Sequence, residues 1–110
     1  MSSPANDLLV ILCTFPSIEA AGEIAQALVG ERLCACVNML PHTRSIYQWK
    51  GEIVNNEEVL CLIKTASSRH AALEARLREL HPYEVPEIVS LRAAEVNDSY
   101  LRWVADETSP

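Results

Sequence analysis

Apolar residues run without interruption through Leu8-Leu9-Val10-Ile11-Leu12-Cys13 and end at Thr14. A short run that is apolar at every position predicts a strand buried on both faces. Phe15-Pro16-Ser17 breaks it, and Ser17 predicts the N-cap of a helix from Ile18 to about Val29. Ala21, Ile24, Ala25 and Leu28 follow one buried helical stripe, and Gly30 predicts its stop. Leu33 to Leu40 predicts a second strand, broken or bent at Pro41-His42-Thr43, with extended character resuming from Ser45 to Trp49. Cys34 and Cys36 are expected to share one face of that strand. Lys50-Gly51-Glu52 reads as a hairpin tip. The return strand starts at Ile53, passes the polar stretch Asn55-Asn56-Glu57-Glu58 and continues from Val59 to Thr65. Ser67 or Ser68 predicts the cap of a second helix whose buried stripe is Leu73, Leu77 and Leu80. Pro82 pushes His81 toward extended geometry, so this helix ends near Leu80. Ile88 to Leu91 predicts a short strand, and Asn97 or Asp98 caps a last short helix carrying Tyr100, Leu101, Trp103 and Val104. Asp106 to Pro110 is expected to fray.

The order strand, helix, strand, strand, helix, strand, short helix is a split β-α-β pattern. It predicts an α+β fold in one domain, residues 1–110, with an ordered core of about 7–105. Two helices cover one face of a four-stranded antiparallel sheet. The strands are nonetheless apolar on both faces: Leu8, Val10 and Leu12 alternate with Leu9, Ile11 and Cys13, and Val59, Cys61 and Ile63 with Leu60 and Leu62. A half-solvated sheet shows a polar outer face, so the second face calls for a cover, and another copy of the chain is the simplest one. The long hairpin, with Tyr47 and Trp49 near its tip, is an arm suited to reach a neighbour.

Charge and cysteine usage narrow the function classes. The formal net charge of −6 and the lack of any basic cluster argue against nonspecific nucleic-acid binding. The longest apolar run is far too short to span a bilayer, and the polar N-terminal stretch lacks the basic region of a secretory leader, so a cytoplasmic location is expected. Cysteines 13, 34, 36 and 61 then read as buried thiols rather than a disulfide framework. Glycine occurs only at 22, 30 and 51, which builds no phosphate loop.

Candidate chemistry gathers in the connector His81-Pro82-Tyr83-Glu84-Val85-Pro86-Glu87-Ile88, which the two prolines stiffen. Several readings stand beside one another. His81 with Glu84 or Glu87 suits acid–base work, but no nucleophile stands out beside them, and a binding protein is expected rather than an enzyme. Cys13, His81 and Glu84 offer a metal site. Alternatively His81 is a structural imidazole that hydrogen-bonds across the connector. His42 is expected to be exposed and His70 solvated.

Taken together, Cys34-Ala-Cys-Val-Asn38-Met-Leu-Pro41, Ser45-Ile-Tyr47-Gln-Trp49-Lys-Gly51-Glu-Ile53, Glu58 to Thr65, the connector and Tyr100-Leu-Arg-Trp103 resemble the CutA divalent-cation tolerance proteins. The resemblance spans roughly Leu8 to Trp103. It implies a ferredoxin-like fold and a homotrimer assembled like the PII signalling proteins, with the hairpin reaching a neighbouring subunit. It also implies binding of copper or another divalent cation. The ligands ascribed to bacterial members correspond to Cys13 and His81, with Leu80 standing where a further His is expected and Glu84 as the remaining donor. Tyr47, Trp49, Lys64, Tyr83 and Trp103 are expected to line clefts or interfaces between subunits. By the same resemblance, those clefts are alternatively the seat of a small anionic effector or a protein partner.

Overall fold

The structure, a computed structural model that describes residues 7–110, resolves this pattern into strands β1 (Leu8–Phe15), β2 (Cys36–Trp49), β3 (Glu52–Ala66) and β4 (Val89–Arg92). Helices α1 (Ile18–Gly30), α2 (His70–Leu80) and α3 (Asp98–Glu107) complete it. The sheet order is β2-β3-β1-β4, with every neighbouring pair antiparallel. Ser17 caps α1 as its sequence predicts, its hydroxyl accepting from the Ala20 N–H at 3.1 Å. No helix among the described residues is long and apolar enough to cross a membrane.

The two faces of the sheet have different fates. Ile11, Cys13 and Phe15 of β1 and Val59, Cys61 and Ile63 of β3 pack against Ala21, Ile24 and Leu28 of α1 and Leu73 and Leu77 of α2. On the opposite face α3 closes only one end, where Val104 packs with Leu8 and Ala35. Leu12, Leu60 and Leu62 are merely half-buried there, and Leu40, Val89 and Leu91 lie exposed. Burying such a surface is favourable at roughly 25 cal/mol per Å² of apolar area.

The hairpin β2–β3 projects from this body and gives the chain extents of 47 × 26 × 22 Å. Its tip is Lys50-Gly51, both at positive φ (51° and 84°), the geometry of the primed turns that match strand twist. Pro41 does not end the strand. Register slips between Leu40 and Thr43, His42 takes φ 63°, and pairing resumes at Thr43 with Glu58. This bulge absorbs the proline, which has no N–H to give to the ladder.

Several local expectations are corrected. Cys34 and Cys36 do not share a face, because β2 begins only at Cys36: Cys34 is sealed in the helix-side core, whereas Cys36 is partly exposed beside Asn38. Helix α1 does stop at Gly30, and the left-handed residue beyond it is Arg32, at φ 61°. Neither serine caps α2. A 3-10 turn over Ser67–Arg69 leads into it, and the helix starts at His70. His70 is part-buried rather than solvated, with Nε2 2.9 Å from Ser90 Oγ. The C-terminus does not fray: Thr108 is buried, its hydroxyl donates to the Val104 carbonyl, and Arg32 donates to the carbonyls of Asp106 and Ser109.

Candidate functional site

Pro82 and Pro86 hold the connector after α2 in non-helical geometry, and three hydrogen bonds fix how it lies on the sheet. His81 is 8% exposed and stacks on Phe15, with ring centroids 4.7 Å apart and planes at 22°. Its Nε2 lies 2.8 Å from the Thr14 carbonyl, which can only accept, so Nε2 carries the proton and donates. Its Nδ1 accepts the Tyr83 N–H at 3.1 Å. Both ring nitrogens are therefore engaged, and the imidazole is held as one neutral tautomer. The Tyr83 hydroxyl in turn donates to Glu58 Oε2 at 2.6 Å. The connector is thus tied to the end of β1 and the middle of β3.

Between connector and hairpin lies an open cleft of about 640 Å³. Thr14 and Glu58 line it from the sheet, Ser45, Ile46, Tyr47 and Trp49 from β2, and Pro82 to Val85 and Glu87 from the connector. Its walls combine aromatic rings with the acidic residues Glu58, Glu84 and Glu87, and among the described residues no lysine or arginine lines it. Of the residues expected at clefts, Tyr47, Trp49 and Tyr83 lie here and Lys64 and Trp103 do not. The Lys64 ammonium donates to the Asn38 side chain, and Trp103 packs beside Tyr100 on α3.

The copper ligands implied by resemblance do not fit this geometry. Cys13 is fully buried, and that burial, with smaller contributions from Cys61, Glu87 and Glu58, pushes its thiol up to about 12. A soft metal requires the thiolate. His81 has no free lone pair, since Nδ1 accepts from Tyr83 and Nε2 is protonated toward Thr14. Leu80 packs against the helix-side core. Glu84 is exposed on the cleft wall, and among the described residues no three His, Cys, Asp or Glu side chains converge on a metal-sized point. Cys13 and His81 do approach one another's surroundings: the Cys13 sulfur lies 4.0 Å from the same Thr14 carbonyl that receives the imidazole. They serve there as core and lock.

Sequence reasoning passed over Glu58, a carboxylate only 6% exposed. The available signal was its parity: position 58 shares the parity of Leu60 and Leu62, so it belongs to the sheet face opposite α1 and α2 rather than to a solvated interruption.

Burial depresses the His81 pKa from its ordinary 6.5, outweighing the opposite pull of the Thr14 hydrogen bond and of Glu58. Its contribution to stability is thus complete above the unfolded value and is lost as pH falls through the lower folded one. Between pH 7.5 and about pH 5 the wild type is expected to lose more denaturant resistance than a His81→Phe variant. Equal losses in the two chains would show that His81 is not held neutral.

The CutA1 divalent ion tolerance protein family matches residues 9–107. The chain is 52% identical over 99 residues to the divalent-cation tolerance protein CutA of Thermus thermophilus, covering 90% of this chain and 96% of that one. It is 48% identical over 95 residues to human protein CutA, covering 86% of this chain and 53% of the longer human protein. The solved structure of CutA1 from Oryza sativa superposes with a TM-score of 0.91 at 34% identity, covering 97% of this chain and 98% of that one. With a matched family model over nearly its whole length and the same four-stranded α+β architecture, the chain belongs to the CutA1 divalent-ion tolerance family.

Proposed function

We propose that this protein serves divalent-cation tolerance as a homotrimeric binding protein that takes its cation in the cleft between connector and hairpin. The observation that carries this reading is the cleft wall, which presents Glu58, Glu84 and Glu87 with no cationic side chain. Such a wall attracts cations and repels anions. An anionic effector of the PII kind finds no partner charge in it.

The homotrimer is supported by the second sheet face, where Leu40, Val89 and Leu91 are exposed beside half-buried Leu12, Leu60 and Leu62. On the hairpin, Tyr47 (paired with Val54) and Trp49 (paired with Glu52) lie on this same face and are exposed, which extends the apolar surface outward from the body.

Copper belongs to this reading only as one of the divalent ions the cleft takes, through oxygen donors. Removing two carboxylates together, as Glu84→Gln with Glu87→Gln, is expected to weaken divalent-cation binding on the order of tenfold, read by equilibrium dialysis at fixed ionic strength. Binding as tight as in the wild type would overturn the cleft reading.

A further inference from the structure

We propose that Cys36 and Lys64 form a redox-sensitive pair: a peroxide oxidises the Cys36 thiol, and the Lys64 amine captures the product as a reversible sulfur–nitrogen bond between β2 and β3. Neither residue lines the cleft, so the pair is independent of the cation reading.

Sheet register brings the two side chains together. Cys36 opens β2 and is the direct partner of Lys64 on β3. Directly opposed residues project from the same face, with Cβ atoms about 4.5–5.5 Å apart. Here the reactive atoms also meet at one oxygen. Asn38 Oδ1 accepts from the Cys36 thiol at 3.9 Å and from the Lys64 ammonium. Tyr100 of α3 lies beside the thiol, which places the pair at the end of the sheet that α3 covers.

The other three thiols are removed from this chemistry. Cys13, Cys34 and Cys61 are at most 1% exposed, and burial pushes them up to about 12, about 12 and about 11. Buried thiols of this kind are inert. Cys34 is only two residues from Cys36 but is sealed in the helix-side core, so it is not placed to close a disulfide with it. Cys36 is partly exposed, where a dissolved oxidant reaches the sulfur. The nucleophile set beside it is an amine.

Hydrogen peroxide supplies the two oxidising equivalents. The Cys36 thiolate attacks one peroxide oxygen, the O–O bond breaks, and a sulfenic acid and one water result. Sulfenic acids condense with thiols or with nitrogen. Lys64, having released its extra proton to water, attacks the sulfur with its lone pair. The S–O bond breaks, the hydroxyl leaves with an N–H proton as a second water, and a sulfenamide remains. Dithiothreitol restores thiol and amine and is itself oxidised to its disulfide.

Intact-mass spectrometry of the full chain treated with hydrogen peroxide tests this, followed by peptide mapping. The wild type is expected to lose the mass of two hydrogens, to yield joined peptides carrying residues 36 and 64, and to recover both with dithiothreitol. Lys64→Arg keeps the charge but has no amine to condense. It is expected to gain one oxygen instead, trapped at Cys36 by dimedone. Cys36→Ser is expected to do neither. A wild type whose Cys36 stays a thiol, or is oxidised without joining Lys64, would overturn the proposal, and this result needs no variant to fold. So would a disulfide between the Cys36 residues of two chains, or a Lys64→Arg chain that loses two hydrogens as the wild type does. Joined peptides heavier by one oxygen would put that atom between nitrogen and sulfur and overturn the direct bond.

Discussion

A Leu91→Glu variant is expected to fold as a single chain and to fail to assemble. Leu91 is 49% exposed on β4, opposite Val10 of β1, on the face that α1 and α2 leave bare. In an isolated chain a carboxylate at that position reaches water, so the helix-side core is undisturbed. Within the proposed trimer the same carboxylate is buried against an apolar neighbour without a counter-charge, which costs more than a surface of this kind returns. Analytical ultracentrifugation is expected to show trimer for the wild type and single chains for the variant, with matching far-ultraviolet circular dichroism. An undiminished trimer would show that this face is not the interface. A wild type that sediments as a stable single chain would remove the assembly altogether.

Phe15→Ala is expected to cost about 3–5 kcal/mol, the range for truncating a fully buried aromatic ring. Phe15 is 1% exposed at the end of β1, paired with Val59, and its ring supports the His81 imidazole. The substitution therefore opens a cavity in the helix-side core and removes the surface on which the connector lies. Denaturant unfolding at fixed protein concentration measures it, since the apparent stability of an oligomer depends on concentration. A loss below about 1 kcal/mol, typical of an ordinary point substitution, would mean that the end of β1 is not packed as described. Because His81 loses its stacking partner, a weaker pH dependence of stability is expected to accompany the loss.

Much of the fold was legible because it rests on local periodicity. The every-position apolar run at Leu8–Cys13 and the double alternation at Val59–Ile63 announced a sheet apolar on both faces, one of which α1 and α2 cover. Ser17 marked the start of α1, and Pro82 marked the end of α2. The features that were missed depend on contacts between distant segments. Nothing near Asp106 signals that Arg32, more than seventy residues earlier in the chain, binds its carbonyl. The different fates of Cys34 and Cys36 follow from where β2 begins, which the tertiary fold decides. For the site, the connector was legible as a stiff, polar segment, and Tyr47, Trp49 and Tyr83, expected at clefts or interfaces between subunits, line the cleft beside it within one chain. The state of His81 was not legible. Whether an imidazole ligates or locks depends on where its two nitrogens point, and here one points at the backbone of Thr14. Glu58 went unnoticed because a carboxylate among Asn55, Asn56 and Glu57 reads as solvated until the sheet is assembled around it.

The central claim is that the cation is taken by the carboxylates of the cleft and not by Cys13 with His81. Equilibrium dialysis of copper(II) and manganese(II) against the wild type, Cys13→Ser and Glu84→Gln/Glu87→Gln under reducing conditions tests it in one comparison. The cleft account predicts wild-type binding in Cys13→Ser and weakened binding of both ions in the double variant. Copper(II) binding abolished by Cys13→Ser and untouched by the loss of the two carboxylates would contradict it.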